Sequence, residues 1–96
     1  MLFVATCVDK PQSLDKRLEN RPAHLAYLKA LGARVKVGGA MLADDLKTPL
    51  GSMLIFEGES EAEIRALLAD DPYALAGLFE SVTVKPWRQA VGQMLA

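Results

Sequence analysis

His24 is the only histidine in this 96-residue chain, and it stands two residues after Pro22 in "ENRPAHLAYLKALG". Histidine titrates near neutral pH, so it is the natural candidate for moving protons. It shares a helical stripe with Leu28 and Leu31, at i+4 and i+7, and so should point toward a sheet or its rim. Two readings stay open: a general acid/base, or a packing histidine bonded to a nearby carbonyl. Asp71, in "ADDPYALAG", is the carboxylate that could serve it. An Asp–His pair fixes the ring tautomer and strengthens the imidazole as a base. An Asp before Pro is also a good helix N-cap, which by itself accounts for residue 71.

Other residues could complete a binding site. Arg17 and Arg21 precede His24; Arg17 reads as part of a solvated helix face, and Arg21 as the candidate to hold a carboxylate or phenolate. Gly38 and Gly39 in "VKVGGAM" permit a bend or a pocket wall with accessible amides. They form no phosphate loop, since no helix N-terminus follows. Ser52 can donate a hydrogen bond, but no second base suggests a nucleophile. Tyr73 is expected to pack its ring and leave its hydroxyl at a cleft rim. Trp87 reads as a strand-end or dimer anchor. Cys7, on an apolar strand, reads as buried and inert.

The totals exclude several classes. Eleven basic residues against twelve acidic ones give a charge near zero. No basic run interleaves with aromatics, so neither a nucleic-acid surface nor a polybasic membrane patch is expected. One Cys and one His cannot make an ordinary zinc site or an intrachain disulfide, so neither a metal nor a cofactor is expected. The lone cysteine fits a reducing, cytoplasmic home. The N-terminus lacks the basic region of a signal peptide, and no stretch approaches a membrane span. The length fits one domain, 1–96. With 51% hydrophobic residues, some apolar surface is expected to lie against another subunit.

These side chains need elements to position them. "LFVATCV" is apolar on both alternating sets and reads as a central strand covered on both faces. Ser13 can cap a short helix through Leu14 and Leu18. Pro22 should interrupt it and start a second piece through Leu25, Leu28 and Leu31, stopped by Gly32. "ARVKVGGAML" alternates, with Val35 and Val37 on one side, as an edge strand does. "GSMLIFEG" is again apolar on both sides. Ser60 with Glu63 three residues on forms a capping box for a helix carrying Ile64, Leu67 and Leu68. Asp71, Pro72 and Gly77 frame a further helical turn, and "LFESVTVKPW" alternates as a second edge.

The order β-α-β-β-α-β gives a ferredoxin-like α+β fold: a four-stranded antiparallel sheet, order 4-1-3-2, with the helices on one face. The two doubly apolar strands fall in the centre. The other sheet face then needs cover, and a second copy is the economical answer, so a homodimer is expected. In this arrangement the end of helix 2 comes near the middle of helix 1, where Asp71 could reach His24.

Together "RPAHL" after "SLDKRL", the "GG" ending strand 2, the "GS" opening strand 3, "DPY" and the closing "V-x-V-K-P-W" resemble the YciI-like, or YCII-related, family over nearly the whole chain. The resemblance implies a dimeric α/β-barrel type and an active site on a His–Asp pair, here His24 and Asp71. It also implies kinship with lyase and dehydrochlorinase steps of aromatic degradation and, more widely, with muconolactone isomerases. One departure stands out: "ADDLKTPL" between strands 2 and 3 is shorter than the family pattern. A loop there is expected to border the cleft and alter the substrate.

The expected activity is acid/base proton transfer, lyase- or isomerase-like, on a small anionic or aromatic substrate. His24 and Asp71 would be catalytic, with Arg21, Gly39, Ser52 and Tyr73 binding. The alternative is a dimeric module that binds a small ligand without chemistry. The tail "AVGQMLA" is expected to pack across the dimer.

Overall fold

The computed structural model describes residues 1–93. Four strands form one antiparallel sheet: β1 (Leu2–Asp9), β2 (Val35–Leu42), β3 (Pro49–Glu57) and β4 (Phe79–Trp87). Their order is β2-β3-β1-β4, the expected order read from the other edge. Helix α1 (Leu14–Ala30) connects β1 to β2; α2 (Glu61–Ala69) and the short α3 (Pro72–Leu75) connect β3 to β4. The fold is ferredoxin-like α+β.

The pleat sends Phe3, Ala5 and Cys7 of β1 to the helix-covered face, where they are buried. Leu54 and Phe56 of β3 and Val84 of β4 join them, and Ile64 and Leu68 of α2 close the core from above. Leu28 and Leu31 pack against its edge. Both helices therefore lie on one face of the sheet.

The starts and stops are mostly where side-chain chemistry puts them. Ser60 Oγ accepts from the Glu63 amide at 3.1 Å, while the Glu63 carboxylate turns back to the Glu59 amide at 2.8 Å. Gly32 ends α1 with φ of +61°, a conformation that suits glycine.

Four local expectations need correction. Pro22 does not split α1, which runs unbroken for 17 residues. It removes only the N–H that would reach Leu18, which one continuous helix tolerates here. Ser13 occupies the N-cap position, but its hydroxyl turns to the Pro11 carbonyl instead of the helix amides. The leucines at 14, 18 and 25 stay largely exposed. Finally, Val35 and Val37 do not share a face. A register shift sets them against Phe56 and Ile55, consecutive residues of β3 that point to opposite faces.

Candidate active site

The site lies under α1, where the helix crosses the adjoining ends of β1 and β3. Two residues of α1 are buried, and both are polar: Arg17 and His24. His24 Nδ1 lies 2.8 and 2.9 Å from the two oxygens of Asp71. A carboxylate can only accept, so in the neutral ring Nδ1 carries the proton and Nε2 keeps its lone pair. Asp71 is 1% exposed, and its Oδ1 also accepts the Tyr73 amide at 2.9 Å. The cap and the histidine partner are the same carboxylate. Tyr73 stacks flat on the imidazole, with centroids 3.8 Å apart and planes at 12°. The ring face, its tautomer and its orientation are thus all determined by two residues of one short turn, Asp71 and Tyr73.

Arg17 stands on the other flank. Its Nε donates to Asp9 Oδ2 at 2.9 Å. Its Nη2 donates to the Gly51 carbonyl at 2.5 Å and to Ser52 Oγ at 2.6 Å. Its guanidinium carbon lies 4.8 Å from the Tyr73 ring centroid, a cation–π contact. The reading of Arg17 as solvated is therefore wrong. Asp9 and Ser52 supply buried acceptors below α1, and an arginine paired with a carboxylate can be buried where an unpaired one cannot. Gly51 is needed where β3 passes close to β1: a Cβ there would fall 2.3 Å from the Cys7 carbonyl oxygen.

Arg17, Arg21, His24, Gly39, Ser52 and Tyr73 line one pocket of about 270 Å³, closed by apolar groups that include Leu25, Leu28, Val35 and Leu54. Of the expected site residues, Arg21, His24, Gly39, Ser52 and Tyr73 face it together, and Asp71 stands behind His24. Arg17 was missed, though a signal existed: it precedes His24 by seven residues, two helical turns on the same stripe. The loop before β3 does not border this pocket. Thr48 and Pro49 instead line a separate cavity of about 350 Å³ with Val8, Asp9 and Leu14, away from the histidine.

Burial shapes the remaining groups. It pushes the Cys7 thiol up to about 12, with the Asp71 and Asp9 charges adding, so this cysteine is no nucleophile. It raises the Tyr73 hydroxyl above its ordinary value, against the nearby arginines. It also raises Asp9, opposed by the Arg17 charge. Asp9 Oδ1 is buried with no hydrogen-bond partner among the described residues. No group of three or more potential metal ligands occurs among the described residues.

The family model for the YCII-related domain matches residues 1–88. The chain belongs to the YCII-related domain family. Protein YciI of Escherichia coli O6:H1 is 43% identical over 96 residues, covering 93% of this chain and 98% of that one. The derivative of benzaldehyde biosynthesis cluster protein C of Emericella nidulans is 34% identical over 74 residues, covering 69% and 76%. Among solved structures, the 5-chloro-2-hydroxyhydroquinone dehydrochlorinase TftG of Burkholderia phenoliruptrix AC1100, in complex with 2,5-dihydroxybenzoquinone, superimposes with a TM-score of 0.84. It is 40% identical, covering 94% of this chain and 96% of its own. SnoaB of Streptomyces nogalater, a cofactor-independent oxygenase, shares the fold at TM-score 0.57 and 12% identity.

Proposed function

We propose that this member of the YCII-related family is a small enzyme that moves protons on a small oxygenated ring substrate, with His24 as the acid/base group. The observation that carries this is the double clasp of His24 Nδ1 by Asp71, which leaves Nε2 for the pocket. When Nε2 takes a proton, the imidazolium that forms sits against a buried carboxylate, so its charge is met at once. The Tyr73 ring keeps the imidazole from turning away.

The likeness to TftG supports a lyase reading and a hydroxylated, quinone-forming substrate class. On a halogenated hydroxyhydroquinone the step balances without an oxidant. One hydroxyl gives its proton to Nε2, and the imidazolium returns it to the halogen-bearing carbon, leaving a keto tautomer. A second hydroxyl then gives up its proton to the base, its electron pair moves into the ring, the carbon–halogen bond breaks, and halide leaves with its pair. The products are a hydroxyquinone and HX. Arg21 and the Gly39 backbone would border the substrate at the pocket mouth.

The test is chloride release from 5-chloro-2-hydroxyhydroquinone by wild type, His24→Gln and Asp71→Asn. Positioned acid/base groups contribute about 10²- to 10⁴-fold, and losses of that order are expected for His24→Gln. Full turnover in both variants would remove the mechanism. Binding without turnover in wild type would leave the non-catalytic module.

The assembly part of the proposal is a homodimer through the sheet face away from the helices. That face leaves Val8, Val37 and Met53 about two-fifths exposed beside Val4 and Ile55. Trp87 pairs with Leu2 at its border. The expected role of the tail falls partly on residues 94–96, outside the described residues. Sedimentation at micromolar concentration should give a dimer; a clean monomer would contradict it. The single free, buried cysteine fits the cytoplasmic location proposed with it. No helix of the described residues is long and apolar enough to cross a membrane.

A further inference from the structure

The pocket has a second polar wall, and its hydrogen bonds have a direction. Arg17 Nη2 donates to Ser52 Oγ, so Ser52 is used as an acceptor. A hydroxyl that accepts from a guanidinium still has its own proton to give. No described residue takes that proton, and Ser52 lines the pocket. The guanidinium has a spare donor too. Nε is committed to Asp9 and Nη2 to Gly51 and Ser52, while Nη1 has no acceptor among the described residues. Arg17 also lines the pocket.

Both donors are rigidly held. Arg17 is 4% exposed and Ser52 3%, and the Tyr73 ring backs the guanidinium. Neither carboxylate of the cluster takes these donors among the described residues, although Asp9 Oδ1 is buried without a partner. Asp71 spends its oxygens on His24 and the Tyr73 amide, and Asp9 turns its bonded oxygen to Nε. Two residues of the pocket wall thus each keep a donor that no described residue uses, one neutral and one cationic. Preorganised donors of this kind stabilise negative charge on oxygen without having to reorient.

We propose that Arg17 and Ser52 form an oxyanion subsite that selects ring substrates bearing an ionised enolic or phenolic oxygen. It rests on the proton-transfer reading and deepens it. His24 removes the proton, and the Arg17–Ser52 pair holds the oxygen on which negative charge collects. Asp9 is a positioning residue: it orients Arg17 and balances its charge from behind.

The experiment is calorimetric titration with 2,5-dihydroxybenzoquinone and with its neutral analogue 2,5-dimethoxybenzoquinone, which keeps the ring but cannot ionise. Wild type should prefer the dihydroxy compound by at least about tenfold, the scale of a hydrogen bond to a charged group. Ser52→Ala and Arg17→Lys should each collapse that preference, and a purely structural role would weaken both ligands alike. Should Ser52→Ala fail to fold, Ser52→Cys, with a weaker donor of similar size, should give an intermediate preference. A preference retained in Ser52→Ala overturns the subsite, as does no preference in wild type. Chloride release by His24→Gln, measured alongside, separates the two claims. Lost turnover with preference intact in Ser52→Ala leaves the proton-transfer reading and removes the subsite. Full turnover with a collapsed preference does the reverse.

Discussion

Two helices cover the same sheet by different physics. The nine-residue α2 is held by hydrophobic burial, through Ile64 and Leu68 inserted between Phe3, Phe56 and Val84. The 17-residue α1 buries Arg17 and His24 and leaves Leu18 and Leu25 about half exposed. It is fastened by directed bonds to Asp9, Gly51, Ser52 and Asp71, and by the Tyr27 hydroxyl donating to the Leu67 carbonyl of α2. One helix is a lid on the core. The other is a frame for the pocket, and its buried positions hold polar side chains that line it.

That contrast can be broken by mutation. The largest effect should come from Arg17→Met, which strands the Asp9 carboxylate: about 3–5 kcal/mol of stability, the cost of breaking a buried pair. Adding Asp9→Asn should recover part of it in urea unfolding; no recovery would show that the pair's charges are not the issue. In α2, Leu68→Ala should cost about 2–5 kcal/mol by cavity formation, with no partner change able to rescue it.

Gly51→Ala comes next. It should lose about 1–3 kcal/mol, since the new methyl meets the Cys7 carbonyl, and should disturb the Arg17 contacts at the same time. Asp9 should leave a smaller mark on pH dependence. Its folded carboxyl is raised, so the folded state keeps this proton longer than the unfolded chain. Stability from this group is full below the unfolded value of about 3.9 and declines as pH rises through the folded value. Asp9→Asn should flatten that decline in pH-dependent melts. Smallest of all, Leu18→Ala should stay within about 0.5 kcal/mol of wild type, because its side chain is largely in water. A large loss there would restore α1 to the ordinary amphipathic kind.

The sheet was legible because burial leaves a periodic trace. β1 and β3 are apolar on both alternating sets and are central; β2 and β4 are not, and are edges. Topology put Asp71 within reach of His24, the family resemblance paired them, and the structure shows the contact. Arg17 was not legible by residue type, since arginine seldom lies inside. What buries it is Asp9, at the end of the preceding strand β1, and Ser52, 35 residues on in β3. In sequence Asp71 poses a choice between cap and partner, but a carboxylate has two oxygens and several lone pairs, so it does both. The bulge near Lys36 left no signal in the alternation, which is why Val35 and Val37 were placed together.

The central claim is that Asp71 holds His24 in one tautomer with Nε2 free for chemistry. With one histidine in the chain, ¹⁵N imidazole spectra need no assignment. They should be recorded well above the ordinary histidine range, where the ring is neutral. Wild type should show the proton on Nδ1, and Asp71→Ala should shift the balance toward the Nε2–H form. A wild-type ring protonated on Nε2, unchanged by the substitution, would contradict the account.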